Sequence, residues 1–417
     1  MSDQPVLKPG DSIEVTFHAF AHGGEAIAKA QDGRVVFVQG ALPGETATVK
    51  LLKVKKRWAR AELVHLETTS PDRVEVECPA ARAGAGCCDF SHMRLTAQRK
   101  AKQEVLVGQL DKIAGPSGVL DGVDVSSVTV EALEPTTGWR TRIRLGTDTQ
   151  GRAGFRKARS NEVVSERCTQ AIPALFEGIV GDGAQRFTPG SEVIVVIDAL
   201  GNRHVVESRK VQRGRRVERI HRTVEGSGNV VEIVGNGRFE FPATAFWQAH
   251  SNAAVAYTEQ VRSWAIAGQP YQRAAGWDLY GGVGLFVPSM SEALGGGPVT
   301  SVDYSKSAMA HPQPALESLD VTKVNARVET GIASLPPAGL VVLDPPRTGA
   351  GDGVVRDIAA TRPQRIIHIG CDPATFARDL ASWGTYGYRV SELKAIDAFP
   401  GTHHFETLAC LEPVHLQ

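Results

Sequence analysis

The sequence lacks three features that would place the protein in a specialised class. Its 417 residues include only six cysteines, too few for a disulfide scaffold in a chain of this length. No apolar run reaches the roughly 18 residues that a membrane-spanning helix needs, and the first residues form neither a basic nor an apolar leader. Neither sign of charge is in excess, because 46 Lys and Arg balance 46 Asp and Glu. We therefore expect a cytoplasmic protein on which any nucleic-acid surface is local.

Residues 1–68 are predicted to form a small β-barrel. Four strand candidates, IEVTFHAF, RVVFVQG, ETATVKLLKV and WARAELVHLE, are separated by the turns HGGEA, QDG and LPG. Basic residues surround Trp58 on the last two strands, which suits RNA backbone contact with base stacking; a solvated charged strand is the alternative. The stretch resembles a TRAM domain, an RNA-binding module of OB-like shape. The basic residues are Lys50, Lys53, Lys55, Lys56, Arg57 and Arg60.

The predicted central region, residues 69–240, combines a cysteine-rich loop with mainly β structure. In the loop, CPAARAGAGCCDFSHM carries three thiols, and a fourth follows a predicted antiparallel pair. Four converging thiols suggest an iron–sulfur or zinc site. Adjacent cysteines rarely ligate one cluster together, so unligated thiols are the alternative. Residues 93–113 are predicted to form an amphipathic helix. The candidate ligands are Cys78, Cys87, Cys88 and Cys168.

Two arginine-rich stretches of the central region are candidates for RNA contact. Residues 137–168 are predicted to form three strands, on which three alternating arginines share one face. They form either a phosphate rail or a ladder paired with Glu162 and Glu166. In residues 203–222, many cations with few acids favour RNA contact over packing. The residues are Arg140, Arg142 and Arg144 in the first stretch and Arg209, Lys210, Arg213, Arg215, Arg216, Arg219 and Arg222 in the second.

From residue 241 to residue 417 the pattern changes to alternating strands and helices. The strands within AAGWDLY, PVTSVDYS, GLVVLDPP and RIIHIGC each lead into an acid or a thiol. Repeated units of this kind, with functional side chains at strand ends, predict a doubly wound, Rossmann-like α/β sheet. Strands around YRVSELKAIDAFP and HHFETLACLEP close the chain.

The glycine-rich turn after AAGWDLY is a candidate cofactor site. Gly281, Gly282 and Gly284 partly match a dinucleotide fingerprint, but the position of its last glycine is occupied by Val287. Asp303 follows the next strand, where a ribose-binding carboxylate is expected. The combination fits S-adenosylmethionine better than NAD. A turn that needs glycines only for its conformation is the alternative.

The strand RIIHIG leads to Cys371 in a sharp Cys-Asp-Pro turn, and Pro373 then begins a helix that runs through Leu380. A thiol at the carboxyl end of a buried strand, just before a helix N-terminus, is exposed and favoured as the thiolate. Such a thiol can act as a nucleophile. A half-buried structural cysteine is the ordinary alternative.

Four motifs in order, FWQAH, DLYGGVG, LDPPRTG and GCDPATFARDL, followed by HHFETL, resemble the RNA 5-methyluridine (uracil-C5) methyltransferase family. Its enzymes combine a TRAM domain, often an iron–sulfur cluster, and a class I methyltransferase domain. The resemblance implies methylation of uracil C5 in rRNA or tRNA. It assigns the nucleophile that adds to C6 to Cys371 and the base that removes the C5 proton to Glu406. It assigns S-adenosylmethionine binding to Gln248, Tyr280, Asp303 and Asp344, and a [4Fe-4S] cluster to the four cysteines.

The sequence departs from the family pattern at several positions. Leu285 replaces a polar Asn, so one cofactor contact is expected to be lost or replaced, and Ala85 stands where the cluster motif has a cysteine. The other departures are Gly281 for Cys, Asp303 for Glu, His250 for Asn and Asp372 for Asn.

Two rival functions follow from the same residues. The first is a cysteine hydrolase that uses His403 or His404 as its base, although no nucleophile-elbow motif accompanies Cys371. The second is an RNA-binding protein with a degenerate methyltransferase domain, which the departures favour and the retained Cys371 and Glu406 oppose. The absence of a long coiled coil or exposed apolar stripe predicts a monomer.

Overall fold

The computed structural model describes residues 7–214, 216–309 and 311–414. It contains a closed five-stranded barrel, a six-stranded sheet, a two-stranded hairpin and an eight-stranded sheet. This architecture confirms the predicted α/β class, with an OB-like barrel first and mainly β structure in the centre. Within the described ranges, no helix combines the length and the apolar character that crossing a bilayer requires.

The N-terminal barrel has five strands rather than the four predicted. They are β1 (Ser12–Phe20), β2 (Ala26–Lys29), β3 (Val35–Val38), β4 (Thr46–Val54) and β5 (Trp58–Thr68). They close in the order β1-β2-β3-β5-β4, and alternate side chains such as Val15 and Phe17 fill the interior. The sequence prediction missed β2 because AIAK is short and half alanine, a residue depleted in strands.

A buried ion pair joins the barrel to the segment that follows it. Arg73 donates two hydrogen bonds of 2.6 Å to the carboxylate of Glu45 and one of 2.7 Å to the carbonyl oxygen of Gly40. Because Glu45 is fully buried, its charge needs this bidentate partner. Arg73 therefore fixes the chain where it leaves the barrel.

The cysteine-rich segment and the predicted amphipathic helix come next. The elements are α1 (Pro79–Arg82), α2 (Leu95–Gln109) and β6 (Val130–Ala132). The helix α2 continues into one π-helical turn, Leu110–Ala114, so the predicted helix at 93–113 is confirmed with slightly different ends. Short 3-10 turns lie at Gly115–Ser117, Val125–Ser127, Pro173–Leu175, Pro314–Leu316 and Ile332–Ser334.

The central sheet is antiparallel. Its strands are β7 (Arg142–Thr147), β8 (Ala153–Arg156), β9 (Val163–Val164), β10 (Glu192–Ile197), β11 (Arg203–Arg213) and β12 (Arg216–Glu225), and the separate hairpin consists of β13 (Asn229–Val234) and β14 (Gly237–Pro242). The sheet order is β12-β11-β10-β7-β8-β9. The three strands predicted within 137–168 are β7, β8 and β9, and the basic stretch 203–222 forms most of β11 and β12.

The C-terminal sheet is doubly wound, as predicted. Its strands are β15 (Gly276–Leu279), β16 (Val299–Val302), β17 (Val321–Val324), β18 (Leu340–Leu343), β19 (Arg365–Gly370), β20 (Tyr388–Asp397) and β21 (Glu406–Pro413). The helices are α3 (Ala253–Ala267), α4 (Val287–Ala293), α5 (Lys306–Met309), α6 (Val328–Gly331), α7 (Asp352–Ala360) and α8 (Pro373–Thr385). The sheet order is β17-β16-β15-β18-β19-β21-β20-β6. The strands β15 to β19 are mutually parallel, and β21 is antiparallel to β19 and β20.

Both faces of this sheet are covered by apolar layers. Ile367 and Ile369 belong to a buried cluster with Tyr257 and Trp264 of α3 on one face. Ile366 belongs to a second cluster with residues of α7 and α8 on the other face. A sheet buried on both sides explains why its strands are continuous apolar runs rather than alternating ones.

The central region also contributes to the C-terminal sheet. The strand β6 pairs in parallel with β20, and Lys102 of α2 donates a 2.5 Å hydrogen bond to Asp397 within the protein interior. Breaking a buried pair of this kind costs roughly 3–5 kcal/mol, so α2 and β6 are held firmly against the sheet. The boundaries predicted at residues 68 and 240 stay predictions.

Candidate active site

A cavity of about 770 Å³ opens at the carboxyl ends of the parallel strands β15, β16, β18 and β19. This edge is where doubly wound sheets bind their ligands. The six residues predicted as catalytic or cofactor-binding all line it, although they are far apart in sequence. They are Gln248, Tyr280, Asp303, Asp344, Cys371 and Glu406.

Cys371 lies between β19 and α8. The next residue, Asp372, caps α8 by accepting a 2.9 Å hydrogen bond from the backbone N–H of Thr375, and Pro373 occupies the first helical turn. Burial, followed by the nearby Glu406 and Asp344 carboxyls, raises the pKa of the Cys371 thiol to about 12, with Arg347 in partial opposition. The expectation of an exposed, favoured thiolate is therefore wrong for the ligand-free chain: the thiol is half-buried, and burial and the carboxyls outweigh the helix N-terminus.

Of the two carboxyl groups beside Cys371, that of Glu406 is buried and that of Asp344 is half-buried, and Asp344 disfavours ionisation of Glu406. Burial raises the pKa of Asp344, at the end of β18, to about 7. Burial and then Asp344 raise the pKa of Glu406 well above its ordinary value, and Arg347 acts in the opposite direction. One oxygen of Glu406, Oε2, is buried without a hydrogen-bond partner among the described residues. Burial therefore favours the protonated form of both acids at the cavity floor.

The glycine-rich turn after β15 is conformationally strained and closely packed. Tyr280 has a φ of +60°, which a residue with a bulky side chain rarely adopts and which often marks a functional site. Asp303 accepts hydrogen bonds from the backbone N–H groups of Gly282 (3.0 Å) and Ser305 (2.6 Å), so it stabilises the turn while lining the cavity. A β-carbon at Gly281 would lie 2.1 Å from Asp278 Oδ2, which explains the glycine where the family usually has Cys.

Two other residues that depart from the family pattern lie outside the lining of the cavity. Leu285 is buried in the apolar cluster that covers one face of the sheet and is absent from the cavity wall. His250 is buried against Trp139, with their ring centroids 5.4 Å apart, and its Nε2 lies 3.1 Å from the carbonyl oxygen of Pro135. Both side chains therefore have packing roles.

The structure also places residues at the site that the sequence analysis did not assign. Arg347, within the DPPR motif, lines the cavity and lies 3.3 Å from His404 Nε2. Tyr257 of α3 is buried, its hydroxyl lacks a partner among the described residues, and burial, followed by the charge of Glu406, raises its pKa. The DPPR motif was a signal for Arg347. Tyr257 gave none, because a tyrosine on an apolar helix face usually belongs to the core.

A contact between the barrel and the catalytic turn was not predicted. His22, in the turn between β1 and β2, places its Nε2 2.8 Å from Asp372 Oδ2. Burial opposes ionisation of Asp372, but the His22 contact and the Thr375 N–H lower its pKa to about 2. Beside it, Asp89 contacts His403. The partners His22 and Asp372 lie 350 residues apart, so no local sequence pattern could reveal the pair.

The hydrolase alternative gains no support from these histidines. His403 contacts Asp89, and His404 contacts Arg347. Burial, then His403 and Arg347, lowers the pKa of His404 to about 3. Among the residues that the structure describes, no hydrogen bond links either histidine to Cys371. A Cys–His nucleophile pair is therefore not formed.

The four predicted cluster cysteines converge in one place. The Sγ atoms of Cys78, Cys88 and Cys168 lie within 4.8 Å of one another, and Cys87 Sγ lies 3.7 Å from Cys88 Sγ. Three of the thiols are buried. Hydrogen bonding from Cys168 lowers the pKa of Cys87 to about 4, so the thiols of the group differ in how readily they ionise. Their chemistry and convergence fit a soft metal centre.

Of the two alternatives for Arg140, Arg142 and Arg144, the ladder paired with Glu162 and Glu166 does not form, and Arg140 lies before the first residue of β7. Instead, Arg142 donates to Glu232 (2.9 Å), Arg144 donates to Glu192 (3.1 Å), and Arg140 lies over the ring of Trp139. The glutamates that pair with β7 come from neighbouring strands, which sequence proximity could not indicate. Glu162 pairs with Lys157 instead.

The basic surfaces predicted on the barrel and on the β11–β12 hairpin are exposed. On the barrel, Lys53 and Arg60 lie within 6 Å of the Trp58 ring centroid. On the hairpin, several arginines are paired with glutamates, but Arg209, Lys210 and Arg216 form no ion pair with any described residue. Arg215 lies outside the described residues. These surfaces retain the charge needed to contact a nucleic-acid backbone.

Comparison with known proteins supports the interpretation of both ends of the chain. The TRAM domain family matches residues 6–64, and the tRNA (Uracil-5-)-methyltransferase family matches residues 337–414. The RNA methyltransferase Cgl1903/cg2084 of Corynebacterium glutamicum is 49% identical over 98% of each chain. The 23S rRNA (uracil(1939)-C(5))-methyltransferase RlmD of Shewanella sp. (strain W3-18-1) is 30% identical over 94% of this chain and 93% of its own.

A solved structure has the same fold. The tRNA (uracil-54, C5)-methyltransferase of Pyrococcus abyssi, in complex with S-adenosyl-L-homocysteine, superimposes with a TM-score of 0.69 at 22% identity. The match covers 95% of this chain and 99% of that one. The barrel, the central strands and the doubly wound sheet therefore occur together in that protein as well.

Proposed function

The chain belongs to the RNA uracil-C5 methyltransferase family, and we propose that it methylates a uridine of ribosomal or transfer RNA through a covalent adduct between Cys371 and uracil C6. The enzyme is an RNA (uracil-C5-)methyltransferase that uses S-adenosylmethionine. The observation that carries the mechanistic proposal is the single cavity that holds Cys371, Glu406 and Asp344 together.

Uracil C5 is a poor nucleophile, so the enzyme must first increase the electron density at this carbon. Addition of the Cys371 thiolate to C6 forms a carbon–sulfur bond and converts the ring into an enolate with carbanion character at C5. The cavity that contains Cys371 is large enough for a base, and the target uracil must leave its stack to reach it. Phe246, which is 73% exposed at the cavity wall, offers an aromatic face to a base that enters.

Glu406 is the proposed base that completes the reaction. After C5 is methylated, its remaining proton must leave so that the C6–sulfur bond can break and aromatic character return. Glu406 Oε2 has no hydrogen-bond partner among the described residues, and Arg347 favours the ionised form that can accept this proton. Glu406→Gln should therefore stall the enzyme as a covalent RNA adduct, seen as a band shift on a denaturing gel. Turnover near that of the wild type would exclude this role.

The residues around the glycine-rich turn fit S-adenosylmethionine. Asp303 can accept hydrogen bonds from a ribose. Gln248 is buried, the hydroxyl of Tyr280 has no hydrogen-bond partner among the described residues, and both residues border the same cavity. Asp344 lies between this side and Cys371, so it can contact both substrates. When bound, the cofactor supplies the electrophilic methyl group that C5 takes up. Asp303→Ala should weaken binding of S-adenosylhomocysteine in calorimetry.

We propose further that Cys78, Cys87, Cys88 and Cys168 bind a [4Fe-4S] cluster. Convergence of four thiols supports a soft metal centre, and unligated thiols are the alternative. Iron and sulfide analysis of anaerobically purified protein tests the proposal, with Cys168→Ser as the variant that should lose the metal. Zinc without sulfide would identify a different ion, and protein without metal would exclude any centre.

Sequence identity favours large-subunit rRNA as the substrate. The relative named for 23S rRNA is 30% identical over 94% of the chain, whereas the solved methyltransferase named for tRNA, which covers 95% of the chain, is 22% identical. Transfer of a labelled methyl group to 23S rRNA and to tRNA transcripts, with nucleoside mass spectrometry of the product, distinguishes the two. Labelled 5-methyluridine in tRNA alone would contradict the rRNA assignment. No transfer to either, with cofactor unbound, would favour a degenerate domain.

A further inference from the structure

A second cavity, here called the flanking groove, lies beside the catalytic cavity and has a volume of about 640 Å³. Its walls come from the central strands β7, β10, β11 and β12, from the β13–β14 hairpin and from α5. Most of the side chains that line it are polar. They include Arg144, Arg219, His221, Thr244 and Ser307.

The flanking groove carries more positive than negative charge. Arg144 and Arg219 both donate to the same oxygen, Oε2 of Glu192, at 3.1 and 2.7 Å. One carboxylate cannot neutralise two guanidinium groups, so one positive charge is left over. The two arginine side chains are 50% and 42% exposed, which leaves donors free to bind a ligand. The groove therefore has the charge and geometry of an anion site.

The flanking groove and the catalytic cavity share two segments of chain. Thr244 lines the groove, and Phe246, two residues later, lines the catalytic cavity. Likewise, Ser307 lines the groove, while Ser305 lines the catalytic cavity. The two cavities are therefore lined by residues only two positions apart in both segments. An RNA strand with its target base in the catalytic cavity can thus place a neighbouring nucleotide at the flanking groove.

We propose that the flanking groove binds a backbone phosphate of a nucleotide next to the target uridine, with Arg144 and Arg219 as its donors. This inference rests on the proposed function for its substrate. A base that leaves its stack strains the backbone on both sides, and enzymes of this type hold the flanking nucleotides to position it. The phosphate would share the two arginines with Glu192, and the hydroxyls of Thr244 and Ser307 would supply further hydrogen bonds.

Two variants change the groove in different ways. Arg219→Gln removes one donor, and Ser307→Glu adds a negative charge at an exposed position without breaking the ion pair. Arg262→Gln on α3 is the matched control, because Arg262 is similarly exposed and paired with one glutamate, Glu292, outside the groove. The readouts are RNA affinity at several salt concentrations, KM and kcat for RNA, and calorimetric binding of S-adenosylhomocysteine.

We expect both groove variants to bind RNA about tenfold more weakly and to raise KM, with kcat and S-adenosylhomocysteine affinity unchanged. The negative slope of log affinity against log salt concentration should become shallower by roughly 0.7–0.9, the value for one lost phosphate contact. Wild-type affinity and slope in both variants would overturn the inference, as would an equal loss in Arg262→Gln. Failure of the wild type to methylate RNA would instead overturn the proposed function, and the RNA-binding slopes would still test the groove.

Discussion

The cavity around Cys371 is expected to make its thiol less reactive when no ligand is bound. With the thiol pKa at about 12, the thiolate fraction at pH 8 is roughly 10⁻⁴, against about a quarter for an ordinary cysteine of pKa about 8.5. A more basic thiolate is intrinsically more nucleophilic. At a Brønsted slope of about 0.45, this raises the alkylation rate of the Cys371 thiolate about 40-fold and offsets part of the loss. Alkylation of Cys371 at pH 8 should therefore be about 60-fold slower than that of an ordinary exposed cysteine.

The assay is alkylation by iodoacetamide, followed peptide by peptide with mass spectrometry between pH 7 and 10. The Cys371 rate should rise about tenfold per pH unit across this range, because the pKa lies above it. A model peptide containing one cysteine is the control. An alkylation rate that stops rising above pH 8.5 in the enzyme without ligand would contradict the raised pKa of Cys371.

A cationic ligand should reverse this suppression. Asp344 and Glu406 border the same cavity as Cys371, and a positive charge among these acids favours the thiolate. Sinefungin carries an ammonium group where S-adenosylhomocysteine has a neutral sulfur, so the two occupy similar space with different charge. Cys371 should react faster in the sinefungin complex. Equal rates in the two complexes would contradict the electrostatic account.

Three further predictions concern residues that support the site. Burial raises the pKa of Asp278 from 3.8 to about 7. The contribution of Asp278 to the free energy of unfolding is therefore greatest below pH 4, and it decreases by about 4 kcal/mol as the pH rises to 7. Asp278→Asn should flatten this pH dependence in urea unfolding, and an unchanged pH dependence would contradict the prediction. Gly281→Cys would place a β-carbon 2.1 Å from Asp278 Oδ2 and should lower the unfolding free energy by about 1–3 kcal/mol, which an unaltered urea midpoint would disprove. His22→Ala removes the partner of Asp372, which is half-buried, and should lower the free energy of unfolding by about 1 kcal/mol; an unchanged urea midpoint would show that the His22 contact does not stabilise the turn.

Local patterns predicted most of the fold. Continuous apolar runs before Asp303, Asp344 and Cys371 indicated buried parallel strands, and the structure places all three residues at one sheet edge. This succeeded because the carboxyl ends of parallel strands must meet. The missed strand β2 is short and alanine-rich, so its formation depends on the barrel around it rather than on its own residues.

Features that depend on long-range contacts were not predictable. The glutamates that pair with Arg142 and Arg144 come from other strands, and His22 reaches Asp372 from the opposite end of the sequence. The ionisation of Cys371 was wrongly predicted for the same reason. The helix N-terminus is a local feature, whereas burial and the carboxyls of Asp344 and Glu406 arise only in the assembled cavity. The roles of the site residues and the monomeric state stay predictions.

Covalent trapping shows directly whether Cys371 attacks uracil C6. The wild type and Cys371→Ala are incubated with S-adenosylmethionine and RNA that carries 5-fluorouridine, and the products are separated on a denaturing gel. Fluorine at C5 cannot leave as a proton, so the wild type should remain attached to its RNA after methylation, and sequencing of that RNA identifies the uridine. A shifted band is expected for the wild type and none for Cys371→Ala. A band of equal strength in the variant, or no band from a wild type that methylates RNA, would contradict this mechanism.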